Sequence, residues 1–149
     1  MEQVLDAVRN HVLWVAIWAW LSAQVLKVLI ELMLTRKLDV SRMFGLGGMP
    51  SSHTAFISAA TMAIGFHDGF HSTLFGFAVC VSCIVMTDAA GVRRAAGKQA
   101  TVLNRIVQDM IHHQGKGVDE EKLKELIGHT PVQVFAGALL GIIVGVVLG

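Results

Sequence analysis

Four apolar segments separated by polar loops constrain the fold of this chain more than any other feature. They cover residues 12–34, 52–66, 70–87 and 131–149. The first is long enough to cross the hydrocarbon core of a bilayer, which takes about 20 residues, and the second is short. Charged residues make up 15% of the chain, whereas a soluble domain carries about a quarter.

The sequence therefore predicts an all-α fold: an integral membrane helical bundle with about four transmembrane helices. It forms a single domain over residues 1–149. A three-span arrangement, in which segment 52–66 is re-entrant, is the alternative.

The polar stretch 91–130 contains a helix of a different kind. Its apolar residues recur with helical period, and polar residues occupy the opposite face. The apolar set is Val102, Leu103, Ile106, Val107, Met110 and Ile111. This pattern predicts an amphipathic helix that lies at the membrane interface or against the bundle. Gly115 to Gly117 ends this helix, and a short charged helix is expected over 119–126.

Lysine and arginine are concentrated in two loops. Loops 35–50 and 91–130 carry most of them, while the turn 67–71 has none. The positive-inside rule then places both basic loops in the cytoplasm and both termini outside. We expect the membrane to be the bacterial plasma membrane. The net charge is +1 and there is no long Lys/Arg block, so membrane lipids are expected as partners and nucleic acid is not.

Polar side chains gather at those ends of the apolar segments that share the predicted cytoplasmic side. His53 begins the second segment, Asp88, Arg93 and Arg94 follow the third, and His129 begins the fourth. Arginine makes bidentate, permanently charged contacts to phosphate oxygens, and helix N-termini attract anions. The sequence therefore predicts a phosphate pocket at the membrane edge.

Two histidines in such a pocket permit phosphoryl transfer without a metal. One neutral imidazole attacks phosphorus while the other protonates the leaving oxygen. His112 and His113 are adjacent on a helix, and Asp109 adds only one more ligand a turn away, so they predict no metal site. Cys80 and Cys83 lie in an apolar run and are interpreted as small apolar helix residues. No metal or cofactor is expected.

Two further patterns lie inside the apolar segments. Lys27 and Glu31 are four residues apart, so they either pair with each other or point inward near the pocket, because charge inside a membrane is costly. Gly137, Gly141 and Gly145 form a stripe that favours close helix–helix approach. That stripe fits either packing within the chain or a homodimer.

The polar motifs resemble those of a known superfamily. Pro50-Ser51-Ser52-His53 resembles the Pro-Ser-Gly-His motif of the type 2 phosphatidic acid phosphatase and vanadium haloperoxidase superfamily. The run from Gly128 to Gly141 resembles its last motif, and Lys37 with Arg42 resembles its first. Together with Asp88 to Ala100, most of residues 20–145 resembles the small divergent branch of bacterial and plastid membrane proteins in that superfamily.

The resemblance implies a metal-independent phosphatase that acts on a phosphorylated lipid through a phosphohistidine intermediate. His129 would be the nucleophile and His53 the general acid. The phosphate would be held by Lys37, Arg42, Ser52 and an arginine from Arg93 or Arg94.

The chain departs from the superfamily pattern at several positions. The Lys37–Arg42 spacing is short, Met43 replaces proline, Ser52 replaces glycine, Leu123 stands where arginine is expected, and Gln133 stands where aspartate is expected. A neutral amide can hold a ring tautomer but stabilises an imidazolium less than a carboxylate does.

Two hypotheses follow from these departures. In the first, Asp88 supplies the missing carboxylate, and Arg93 or Arg94 supplies the missing guanidinium. In the second, the protein is catalytically inactive and keeps its pocket for binding a lipid headgroup or for assembly. Haloperoxidase activity is the least expected, since nothing in the sequence indicates a soluble vanadate site.

Overall fold

A computed structural model describes residues 8–36, 48–114 and 129–149, with the side chains of residues 92–94 and 107–114 left out. Every regular element in these ranges is helical. The elements are α1 (His11–Thr35), α2 (Ser52–Asp68), α3 (Thr73–Thr87), a π-helical segment (Asp88–Val92), α4 (Arg93–Gln114) and α5 (Pro131–Leu148).

Polar N-caps set the starts of the four apolar helices. Each cap is a side-chain oxygen that accepts a hydrogen bond from the backbone N–H three residues later, which satisfies an N–H with no partner inside the helix. The caps are Asn10, Ser51, Ser72 and Thr130. The starts at residues 52 and 131 agree with the predicted boundaries, whereas α3 starts three residues later than predicted, after its cap.

Helix α2 is the centre of the bundle and packs against α1, α3 and α5. It runs parallel to α5, because Gly137 faces Ser51 and Gly145 faces Ala59. The glycine stripe of α5 therefore packs against α2 of the same chain. Of the two roles predicted for the stripe, packing within the chain is the one observed, and the stripe gives no support to a homodimer.

Helix α1 runs antiparallel to α2. Its N-terminal half packs Val15 and Ala19 against Ala59 and Ala63, and near its C-terminal end Lys27 reaches Ser52. The end of α1 and the starts of α2 and α5 therefore lie on the same side of the bundle.

The bundle buries small side chains and exposes large ones. The buried residues are mainly alanine, glycine, serine and threonine, whereas Trp18, Phe77, Phe135 and Val147 are more than half exposed. Lipid tails are as apolar as these side chains, so helices in a membrane associate through small residues that allow close packing. The inverted pattern is that of a membrane protein.

Among the described residues, three helical stretches are long and apolar enough to cross a membrane: His11–Thr35, Thr73–Ile106 and Pro131–Leu148. Helix α2, with 17 residues, is about 26 Å long at 1.5 Å per residue, somewhat less than the hydrocarbon core of about 30 Å. The predicted all-α membrane bundle is confirmed. One detail differs: the chain does not enter a loop after residue 90, because α3 continues through the π-helical segment into α4.

Candidate functional site

His129 is held at the start of α5 by Gln133. The ring is 5% exposed, and its Nδ1 lies 3.2 Å from Gln133 Oε1. The backbone N–H of Thr130 donates to the same Oε1 at 2.9 Å, which identifies that atom as an acceptor. Nδ1 of His129 must then carry a proton, and in the neutral ring Nε2 holds the lone pair. This is the tautomer required of a histidine that attacks through Nε2.

The starts of α5 and α2 are tied together through their backbones. Ser51 N–H donates to the carbonyl oxygen of Gln133 at 3.0 Å, while Ser51 Oγ caps α2. A side chain at Gly137 would overlap the Ser51 carbonyl oxygen, so only glycine permits this approach. The two helix N-termini, each with a positive dipole end, therefore face the same region.

Lys27 brings a buried cation to the start of α2. Its side chain is 5% exposed, and its Nζ donates to Ser52 Oγ at 3.3 Å. Within the described ranges this is its one hydrogen bond, and no carboxylate pairs with it. Gly48, at a φ of 97°, lies against the Lys27 stem. A buried ammonium with a single neutral partner favours an anion beside it, since burying unpaired charge is costly.

His53 points away from α5. It is exposed and lines an open hollow with Ile17, Trp20 and Phe56. The position lies about 200° of helical rotation from Ser51, on the opposite face of α2. The structure therefore does not bring His53 and His129 together on one face but places them on either side of the α2 start.

The structure describes only some of the remaining predicted site residues. Asp88 opens the π-helical segment, which packs against α5, and its side chain is half-buried. Arg93 and Arg94 open α4, and their side chains lie outside the described residues. Lys37, Arg42, Met43 and Leu123 lie entirely outside the described residues, and so does the predicted charged helix 119–126. The side chains of Asp109, His112 and His113 also lie outside them.

Gln24 is one of the buried polar residues for which the sequence predicted no role. Gln24 lies one turn before Lys27, is 5% exposed, and has a buried Oε1 without a hydrogen-bond partner in the described structure. The signal was present in the sequence, because a polar residue at three-residue spacing from an intramembrane lysine shares its helix face.

Comparison with known proteins shows the family to which the chain belongs. The model of the Divergent PAP2 family matches residues 8–144. The chain belongs to this family. It is also similar to a protein of Bacillus subtilis (strain 168) named as uncharacterized membrane protein YuiD, with 40% identity across 153 aligned positions covering 97% of each chain. No solved structure matches the chain.

These findings confirm the resemblance to the divergent branch of the phosphatase superfamily. Family membership, the membrane relative and the three apolar helices together identify an integral membrane protein.

Proposed function

We propose that this protein is a metal-independent phosphatase that hydrolyses the phosphate ester of a membrane lipid. The observation that carries the proposal is the fixed tautomer of His129, held by Gln133 beside the start of α2. A buried lysine at that same helix start supplies a cation for the phosphate.

The first chemical step is a displacement at phosphorus. Nε2 of His129 attacks, a P–N bond forms, and the P–O bond to the lipid breaks. His53 donates a proton to the departing lipid oxygen. Attack on the far side from the leaving oxygen requires the two histidines to lie on opposite sides of the phosphorus. Because they lie on either side of the α2 start, an in-line geometry requires the phosphorus to lie directly over the N-terminal end of α2.

The second step regenerates the histidine. Water attacks the phosphohistidine, neutral His53 takes a proton from that water, and the P–N bond breaks to release inorganic phosphate. Nε2 of His129 recovers its lone pair and His53 recovers its proton. Throughout, Nδ1–H of His129 stays on Gln133 Oε1, which fixes the ring but contributes no negative charge.

Lys27 and Ser52 are the proposed phosphate ligands at the buried side of the pocket. Lys27 is a better candidate than Lys37 for the lysine of the first motif, because its ammonium already contacts Ser52. Arg42 and Arg93 or Arg94 are proposed to complete the set from the cytoplasmic side. Asp88, on a segment that packs against α5, is proposed to contribute negative charge near His129, but not the hydrogen bond to Nδ1, which Gln133 already accepts.

The test is phosphate release by detergent-purified protein from phospholipid monophosphates and prenyl pyrophosphates, with EDTA present. Release that persists in EDTA and disappears in His129→Ala is the expected result. Ala89→Ser, a small change in the neighbouring π-helical segment, is the control and should keep activity. No release from folded protein across the whole panel would refute the phosphatase proposal.

The second candidate function is a pocket that binds a phosphorylated headgroup without hydrolysis, or that serves assembly. The observation that favours it is Gln133 itself, since an amide beside His129 does little to stabilise the imidazolium formed during attack. A binder should lose headgroup affinity in Arg93→Ala, whereas its phosphate release should be absent both before and after His129→Ala.

We also propose that the site faces the cytoplasm of a bacterial cell, with both termini outside the plasma membrane. The support is the concentration of Lys and Arg in loops 35–50 and 91–130. Fusions of alkaline phosphatase and of green fluorescent protein to the C-terminus test this. An active phosphatase fusion and a dark fluorescent one are expected, and the reverse result would invert the topology.

A further inference from the structure

One face of α2 is left open between α1 and α3 and forms a long groove. Near the start of α2, a hollow of about 420 Å³ is lined by His53 and Phe56 together with Ile17 and Trp20 of α1. A second hollow of about 550 Å³ continues from it. It shares Phe56 and is further lined mainly by Ala16, Ala60, Ile64, Leu74 and, at its far end, His67.

The two hollows follow a single helical stripe. Positions 53, 56, 60, 64 and 67 are spaced by three or four residues, so they share one face of α2. The middle of the groove is apolar. Its far end carries polar groups, among them Arg9, His11 and the hydrogen-bonded pair His67 and Asp68. The groove is thus closed by polar residues at both ends of α2.

The apolar part of the groove has the depth of one lipid leaflet. From position 53 to position 64 the helix rises about 16 Å, and half of the hydrocarbon core is about 15 Å. A hydrocarbon chain whose head lies beside His53 would therefore end near Ile64, before it meets the polar far end.

We propose that this groove holds the hydrocarbon chain of the phosphorylated lipid whose headgroup occupies the pocket. The proposal rests on the proposed function for the identity of the headgroup. It also narrows the substrate class to phosphate esters whose hydrocarbon chain has the length of one leaflet.

The continuity between the pocket and the groove singles out this occupant over bulk lipid. Ser52, which contacts Lys27, points into the bundle, and the next residue, His53, points into the groove. If the phosphorus of a lipid lies beside Lys27 and His129 and its chain lies in the groove, then the ester oxygen that joins the two lies near His53. This is where the proposed general acid must act.

Trp20 allows the groove to be tested without any catalytic readout. The chain has three tryptophans, so replacing Trp14 and Trp18 by phenylalanine leaves Trp20 as the single fluorophore. The probes are phosphatidic acid and phosphatidylcholine brominated on the acyl chains near the carboxyl end, titrated into nanodiscs of unbrominated phosphatidylcholine. Bromine quenches tryptophan only at close contact, so it reports occupation of the groove.

Brominated phosphatidic acid should quench Trp20 at a mole fraction about tenfold lower than brominated phosphatidylcholine, a preference of the size that one well-placed contact provides. Ala60→Phe, which fills the groove, should reduce this preference severalfold. Gly76→Phe is the matched control, because a Cβ atom at exposed Gly76 meets nothing within 4 Å, and it should keep the preference.

Equal quenching by the two lipids in the variant that has Trp20 as its single tryptophan and keeps Ala60 would overturn the proposal. An undiminished preference for phosphatidic acid after Ala60→Phe would overturn it as well. Selective quenching without phosphate release would leave the groove standing and refute the phosphatase. Phosphate release that is indifferent to acyl-chain length, with no selective quenching, would refute the groove and leave the phosphatase standing.

Discussion

Replacing Gly137 by alanine tests the contact that joins the two helix starts of the site. A Cβ atom there would overlap the carbonyl oxygen of Ser51 and would lie 3.1 Å from Ser51 Cβ. Neither atom can swing aside, because one is backbone and the other is fixed to it. Helix α5 must therefore move away from α2, which also stretches the hydrogen bond from Ser51 N–H to Gln133.

The expected magnitude combines three terms. Overpacking a close contact costs about 1–3 kcal/mol, and weakening the Ser51–Gln133 hydrogen bond costs about 1 kcal/mol. Alanine recovers about 1 kcal/mol through its higher helix propensity. The free energy of unfolding should therefore fall by roughly 1–3 kcal/mol, the size of the overpacking term after the other two cancel.

Reversible unfolding in mixed micelles with increasing SDS, followed by circular dichroism, measures this change. Gly76→Ala is the matched control, because a Cβ at that position meets nothing within 4 Å. It should be as stable as the natural protein or more stable by up to about 1 kcal/mol. If Gly137→Ala and Gly76→Ala unfold at the same SDS fraction, the close approach of α5 to α2 is wrong.

Three other substitutions test the site and the bundle. Lys27→Met should weaken binding of a phosphorylated headgroup about tenfold or more, because it removes a buried charged contact. Lys98→Met, at an exposed position of α4, is the control and should leave the affinity unchanged. Equal affinities of the two variants, measured by calorimetry, would show that Lys27 does not bind the headgroup. Gln133→Glu keeps the hydrogen-bond acceptor for His129 and adds a negative charge that should stabilise the imidazolium by about 1 kcal/mol. The rate of phosphate release should therefore rise about fivefold. An unchanged rate would contradict nucleophilic attack by His129. Thr61→Val breaks the 2.8 Å hydrogen bond to Ser82 and should cost about 0.6–1.7 kcal/mol; a double-mutant cycle with Ser82→Ala that shows no coupling would contradict that bond.

The helix starts could be predicted because their signals are local. Ser51 and Thr130 are good N-caps directly before an apolar run, and Pro131 fits the first turn of a helix. The central position of α2 could not be predicted from such signals. It follows from alanine and glycine positions on three helices, and only their mutual packing shows which faces meet.

The sequence predicts a loop after α3 because the composition changes from apolar to polar there. Polarity alone does not end a helix. No proline stands between Asp88 and Gln114, and the backbone absorbs the transition in a π-helical segment. Such segments often occur at functional positions, and this one begins with Asp88 and packs against α5.

Motif spacing and helix packing point to different lysines for the proposed site. Lys37 lies just before the Gly-rich loop, as in the first motif of the superfamily, and stays a prediction because it lies outside the described residues. The antiparallel packing of α1 and α2 brings Lys27, 25 residues before Ser52, into contact with Ser52. A contact across that distance in sequence depends on how the two helices pack, which single-sequence spacing does not encode.

The buried lysine and the neutral glutamine have opposite consequences for catalysis. A cation that attracts phosphate binds the substrate, the phosphohistidine and the released phosphate alike, and uniform binding lowers KM without raising kcat. A carboxylate on His129 would instead act mainly while the imidazolium forms. With Lys27 present and Gln133 in place of aspartate, the site should therefore turn over slowly and be inhibited strongly by inorganic phosphate. Gln133→Glu should raise kcat with little change in that inhibition, whereas Lys27→Met should relieve the inhibition without raising kcat.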